Sequence, residues 1–316
     1  MIREDIIVGE GMRFPLKGIL TLPENVDGPV PAVVLVHGSG SSNMDEAVGK
    51  VTPFKDLAEG LAAHGIASIR YNKRSHEHSY EMVKAKDLPP VTVKEETIND
   101  AIYATEILRN DPRINPKQVF IIGHSMGGML APRIDAEGGK FKGMIMMAGT
   151  PRSINELIID QNQKMIETMG AVSKFIAKKG LENLKKDFGS MFAVTDKMAK
   201  KRKMTGGVTL YYYKEMNRYP AADFLKKLQK PILIMQGEKD FHLDLEKDFE
   251  AYKPILKHNK NVTYKLYENL NHMFMPSVYG TIDKTSTLKM KSFSTMTVTQ
   301  RGSQHYTEKR REEKRR

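Results

Sequence analysis

The sequence predicts an α/β fold in which a mostly parallel central sheet is flanked by helices and interrupted by a helical insertion. Three observations carry this. Short β-branched runs alternate with helical patterns through the first 150 residues, the rhythm of parallel strands joined by crossover helices. One run, Ala32-Val33-Val34-Leu35-Val36, is continuously apolar, as a strand covered on both faces must be. The rhythm stops near Pro151 and returns at Pro231.

Taken in order, strands are expected over Leu16 to Leu22, Ala32 to His37, Ile66 to Tyr71, Gln118 to Ile122 and Met144 to Ala148. Between them, Phe54, Leu57, Ala58, Leu61 and Ala62 recur at helical spacing over Pro53 to His64, with Gly65 as a stop. A second helix is expected over Val93 to Arg109, where Ile98, Ala101, Ile102 and Leu108 share a face, and Asp111-Pro112 and Asn115-Pro116 break the chain after it. From Pro151 to Ala222 the texture becomes long polar helices rich in Lys and Met, with the cluster Tyr211-Tyr212-Tyr213. A strand at Pro231 to Met235, a helix over Leu245 to Leu256 and a strand at Val262 to Tyr267 complete the pattern. The expected organisation is a core over 1–150 and 226–280, a helical cap over 151–225, and a basic tail over 281–316.

Composition narrows the chemistry. Across 316 residues, 40% hydrophobic content is enough to bury a real core. With no cysteine there is no disulfide framework, thiolate nucleophile or Cys-ligated zinc. The acidic start Met1-Ile2-Arg3-Glu4-Asp5 and the absence of a long apolar run point to a soluble, cytoplasmic protein without a membrane span. Residues 281–316 carry ten bases against four acids, half of the net charge of +12, so the body is only mildly basic and nucleic-acid binding is not expected. The segment Thr281 to Gln304 lacks helical apolar periodicity, and the tail over 281–316 reads as a disordered or non-native terminus.

Chemistry concentrates at Gly123-His124-Ser125-Met126-Gly127-Gly128, directly after a strand and before a helix. A serine on that turn is pushed into the open, and Gly123 and Gly127 are required because side chains there would strike neighbouring backbone. The amide of Met126, at the helix N-terminus, points where an oxyanion would form. After the apolar strand comes His37-Gly38-Ser39-Gly40, whose small residues let the Ser39 amide serve as a second oxyanion donor; Gly38 and His37 are given structural roles, since His37 precedes the oxyanion position instead of facing the nucleophile. An activated serine needs a base held by a carboxylate. His272, in the loop after Val262 to Tyr267, is the expected base; His242, His258, His76 and His78 are less well placed. Asp240, in the turn after the Ile232 to Met235 strand, is the expected acid, with Glu238 as its nearest rival and Asp244 as a helix cap.

The combination HGSG, GHSMGG, GEKD and NHMF resembles the α/β-hydrolase superfamily, in particular bacterial serine carboxylesterases with dienelactone-hydrolase-like or monoacylglycerol-lipase-like cores, over about residues 1–280. The resemblance implies an α/β-hydrolase fold with Ser125 as nucleophile, His272 as base and Asp240 as orienting acid, and an acyl-enzyme released by water. Arg70-Tyr71-Asn72-Lys73-Arg74 is similar to the R-Y-D-x-R stretch of these hydrolases, with Asn72 where Asp is common. An insertion after the Met144 to Ala148 strand is a usual place for a lid; Leu157, Ile158, Met165, Ile166, Met169, Val172, Phe175 and Ile176 fit apolar helical faces, expected mostly to pack on the core. The substrate implied is a small to medium acyl or aryl ester, feruloyl and acetyl esters included. A serine peptidase, a thioesterase or acyltransferase on the same residues, and a ligand-binding protein on a hydrolase scaffold are the alternatives. No cofactor and no metal are called for, and a homo-oligomer fits as well as a monomer.

Overall fold

A computed structural model of the chain describes residues 1–85, 87–204 and 207–277. The basic tail, with the expectation attached to it, lies outside the described residues. Eight strands form one sheet in the order β1-β2-β4-β3-β5-β6-β7-β8. They are β1 (Ile2–Val8), β2 (Leu16–Leu22), β3 (Val30–Val36), β4 (Ala67–Tyr71), β5 (Ile114–His124), β6 (Met144–Met147), β7 (Ile232–Gly237) and β8 (Val262–Tyr267). The β1–β2 and β2–β4 pairs are antiparallel, and every pair from β4–β3 to β7–β8 is parallel. Six of seven residues of β3 and all residues of β4 and β7 are buried. Each buried Val, Leu or Ile side chain contributes about 1.5–3 kcal/mol relative to exposure, so the middle of the sheet is the stable platform.

Helix α1 (Pro53–Ala63) packs on β2 and β4, with Pro53 at its first turn and Phe54, Leu57, Ala58, Leu61 and Ala62 buried as their spacing requires. Short helices α2 (Arg74–Glu77) and α3 (Ser79–Lys84) follow β4. Of the histidines set aside as bases, His76 lies on α2 and His78 between the two helices; Phe14 covers His78, and the Pro15 carbonyl bonds its Nε2. A π-turn over Lys94–Ile98 leads into α4 (Asn99–Asn110), which lies against β3 and β5. Helix α5 (Met126–Ile134) is buried along its whole length beneath the end of β5.

Between β6 and β7 the described chain forms five helices, α6 (Ile154–Glu167), α7 (Ala171–Gly189), α8 (Asp196–Lys201), α9 (Leu210–Arg218) and α10 (Ala221–Leu225). They enclose a small core of their own around Phe188, Met191, Ala199 and Leu210. Helix α11 (Tyr252–Leu256) follows β7 after a π-turn over Leu245–Glu250. Of the eight apolar residues expected on inward cap faces, Leu157 and Ile166 are buried, but Val172, Phe175 and Ile176 are 78%, 76% and 67% exposed and Met165 is exposed too. That expectation fails on α7, because helical spacing defines an apolar face without supplying a partner for it. Strand β1 was not expected either; its Arg3-Glu4-Asp5 run sits on a half-exposed edge, where apolar alternation is weak.

Candidate active site

The carboxyl ends of β3, β5, β7 and β8 converge on one point. Ser125 follows β5 with φ 52° and ψ −116°, a left-handed conformation that costs free energy in a non-glycine residue and is held by the turn around it. Glycine makes the turn buildable: a Cβ on Gly123 would lie 2.2 Å from the Gly127 carbonyl oxygen, and one on Gly127 would lie 2.2 Å from that of Val36. The Ser125 amide donates to Met147 of β6 at 2.8 Å, fixing the elbow to the sheet.

Ser125, His272 and Asp240 meet in one hydrogen-bonded line. The His272 Nδ1–H donates to Asp240 Oδ2 at 2.7 Å, which leaves Nε2 to accept the Ser125 hydroxyl at 3.0 Å. Asp240 is buried, and its other oxygen accepts the amides of His242 and Leu243 at 2.8 and 3.1 Å. Burial opposes ionisation of this carboxyl, but the His272 imidazole and these donors outweigh it and hold its pKa below the ordinary carboxylate range. Glu238 instead accepts the Asn269 amide at 3.5 Å, and Asp244 caps the Leu245–Glu250 turn through the amides of Glu246 and Lys247. His258 sits at the end of α11, bonded to Ile255 and Leu228 carbonyls.

The loop after β3 runs beside the nucleophile. A Cβ on Gly38 would stand 3.6 Å from Ser125 Oγ. The amides of Ser39, next to Gly38, and of Met126, next to Ser125, have no acceptor among the described residues. His37 is 2% exposed, bonds the Asn43 carbonyl at 3.0 Å and packs against Phe54 and Tyr71; burial drives its pKa down to about 4, so it is a neutral structural ring.

Four further side chains belong to this site; of these, His242 reads from the sequence only as a rival base, and His124, Glu46 and Lys73 are given no role there. His124, the last residue of β5, donates from Nε2 to the His272 carbonyl at 2.9 Å, and its Nδ1 lies 3.0 Å from Glu46 Oε1. Glu46, buried with φ 50°, also accepts the Gly38 amide at 2.7 Å. Burial opposes both charges, yet Glu46 is pulled below and His124 raised above its ordinary pKa because each faces the other. Lys73, 2% exposed, donates to the Gly38 carbonyl at 3.0 Å. The ring of His242 stacks 4.6 Å from that of His272, and burial together with the His272 charge lowers its pKa to about 4. His242 is set aside as the base for its nearness to Asp240, the same nearness that brings it to the site; Lys73 goes unremarked within RYNKR, and nothing local distinguishes Glu46 from a solvated loop acid. Asn72, where the resembling motif has Asp, accepts the Met44 amide at 2.7 Å and donates to Glu77 at 2.9 Å, a double role no carboxylate could fill.

The cap reaches these loops. Gln161 and Lys164 of α6 donate to the carbonyls of His242 and Leu243. Asp248, fully buried, accepts from Thr150, Arg152 and the Asp244 amide, tying the root of the cap to the acid-bearing loop. Arg133 of α5 and Glu215 of α9 form a buried bidentate pair. A groove of about 550 Å³ lined by Leu22, Val26, Val30 and Arg113 lies at the opposite, amino-terminal ends of β3 and β5, away from Ser125.

A family model described as serine aminopeptidase, S33 (Hydrolase_4), matches residues 27–276. The chain belongs to this family. As an S33 hydrolase it is 35% identical over 260 residues to Esterase EstD of Thermotoga maritima, a match covering 82% of this chain and 58% of that protein. It is 24% identical over 267 residues to the uncharacterized peptidase YuxL of Bacillus subtilis, covering 81% of this chain and 33% of that one. The chain therefore spans about three fifths and one third of these relatives' lengths. Among solved structures, Est1E from Butyrivibrio proteoclasticus superposes with a TM-score of 0.54 at 16% identity, covering 85% of this chain and 90% of that one. The Pyrococcus horikoshii acylaminoacyl peptidase gives a TM-score of 0.54 at 16% identity, covering 85% and 37%. These likenesses establish the α/β-hydrolase fold. No helix among the described residues of this S33 hydrolase is long and apolar enough to cross a membrane.

Proposed function

We propose that this S33 hydrolase is a serine carboxylesterase acting on small to medium acyl or aryl esters through an acyl-enzyme. The observation that carries the reading is the unbroken line from Ser125 Oγ through His272 to buried Asp240 at 3.0 and 2.7 Å. In this mechanism His272 Nε2 takes the Ser125 proton as Oγ attacks the ester carbonyl, and Asp240 stabilises the imidazolium that forms. Negative charge on the carbonyl oxygen is met by the Ser39 and Met126 amides. Collapse of the tetrahedral adduct expels the alcohol with the proton from His272, and water, activated by the same base, releases the acid. The cap helices between 151 and 225 form the wall against which the substrate's acyl or alcohol group is held. The 35% identity to an esterase supports ester substrates.

A peptidase is the second reading, favoured by the family description and by YuxL. Both are tested by hydrolysis of p-nitrophenyl esters from acetate to long acyl chains beside aminoacyl p-nitroanilides, in wild type and Ser125→Ala. Ester turnover that drops about 10⁴- to 10⁶-fold in the variant is the expected result. Anilide turnover exceeding ester turnover would replace the esterase reading with the peptidase one.

A further inference from the structure

The peptide between Gly38 and Ser39 is gripped on one side by a charge. Lys73 Nζ donates to the Gly38 carbonyl at 3.0 Å, while the Gly38 amide is held by Glu46 at 2.7 Å. A carbonyl and the N–H of the following residue share one planar trans unit and point in opposite directions, and no cis peptide occurs among the described residues. The ammonium that fixes the carbonyl therefore fixes the Ser39 N–H on the far side of the same plane. It also withdraws electron density through the amide, which makes that N–H a stronger donor.

Lys73 is itself held from the cap. Glu96 Oε1 lies 3.8 Å from its Nζ, and Glu96 Oε2 accepts the hydroxyl of Tyr212 on α9 at 3.0 Å. That hydroxyl touches Met126 Sδ at 3.7 Å, so one buried chain from α9 reaches both the Gly38 carbonyl and the Met126 side chain, next to Ser125. An ordinary lysine has no reason to be 2% exposed. The Lys73 ammonium sits between the Glu96 carboxylate at 3.8 Å and the Gly38 carbonyl at 3.0 Å, and of the two the carbonyl is the one within hydrogen-bonding distance, so the costly burial of this charge is directed at the Gly38–Ser39 peptide.

We propose that Lys73 is a positioning residue of the oxyanion site, orienting and polarising the Gly38–Ser39 peptide so that the Ser39 N–H meets the negative oxygen of the tetrahedral adduct. The inference rests on the serine-esterase reading and adds to it a buried cation that acts through backbone. Because the oxyanion exists only in the transition state, loss of Lys73 lowers kcat and leaves KM nearly unchanged.

The test compares wild type with Lys73→Met and Lys73→Arg, measuring kcat and KM on a p-nitrophenyl ester, inhibition by phenylboronic acid as a tetrahedral mimic, and Tm. Lys73→Met is expected to lose about 10- to 100-fold in kcat with KM within about twofold, and to lose boronate affinity in parallel. Lys73→Arg recovers part of both. A folded Lys73→Met with wild-type kcat and boronate affinity, or one that raises KM while keeping kcat, overturns the proposal. Should Lys73→Met not fold, Glu96→Gln, which loosens the ammonium without emptying its place, decides by the same readouts. A lower kcat at constant KM supports the proposal, and unchanged constants overturn it. Wild type inert towards esters and unlabelled by a fluorophosphonate would instead overturn the esterase reading itself.

Discussion

Strand β3 buries six of its seven residues, whereas helix α7, nearly three times as long, buries only Phe188 of nineteen. The first lies in the continuous core of the sheet; the second belongs to a cap whose private core has four fully buried members. Ser125, His272 and Asp240, the proposed nucleophile, base and acid, all hang from the sheet, where close packing leaves little freedom. The cap contributes only contacts to their loops, through Gln161, Lys164 and Tyr212. On the proposed reading, the groups that need exact placement sit on the rigid part, and adaptation to substrate is left to the thinly packed part.

Cutting the strongest tie between the two regions tests this contrast most severely. Arg133→Met leaves Glu215 buried without its cation and is expected to cost about 3–5 kcal/mol in chemical denaturation. A loss below about 1 kcal/mol would mean that the cap is docked by its apolar contacts alone. Glu46→Gln probes the sheet side at smaller cost. The Glu46 carboxyl is held below its ordinary pKa, so its stabilisation is complete above the unfolded carboxylate range and disappears as pH falls through the depressed value. His124 is raised, so its stabilisation is complete below an unfolded pKa of about 6.5 and is lost as pH rises through the raised value. Wild-type Tm should therefore decline on the alkaline side of that window, and the decline should flatten in Glu46→Gln; parallel Tm–pH curves would refute the coupling. The smallest effect is expected on the cap surface. Phe175→Ser should leave unfolding free energy within about 0.5 kcal/mol of wild type, and a larger loss would show that α7 packs against something in solution.

The same contrast explains what could be read from sequence. Strands β2 and β8 match their expected limits, since β-branched runs bounded by turn residues report burial directly. Ser125, Asp240 and His272, which the structure brings together, could be singled out because each occupies a loop after a strand, a relation visible along the chain. Glu46, Lys73 and His124 escaped because they are charged or polar residues whose burial arises from packing between segments distant in sequence. On α7 the error ran the other way: Val172, Phe175 and Ile176 have the spacing of a buried face but stand in solvent. Periodicity records which residues share a side, and only tertiary structure decides what that side meets.

The register between β6 and β7 carries a last consequence. Met144 to Met147 pair with Ile232 to Met235 without interruption, although the whole cap is threaded between them. Closing a longer or shorter excursion changes the chain-entropy cost only logarithmically, about 0.6 kcal/mol per doubling of length. The sheet is thus indifferent to what is spliced in at this junction, provided Arg152 and Asp248 still anchor its root. If the proposed function holds, the excursion is exchangeable as a cassette, retuning which molecules are admitted while Ser125, Asp240 and His272 keep their places on the sheet.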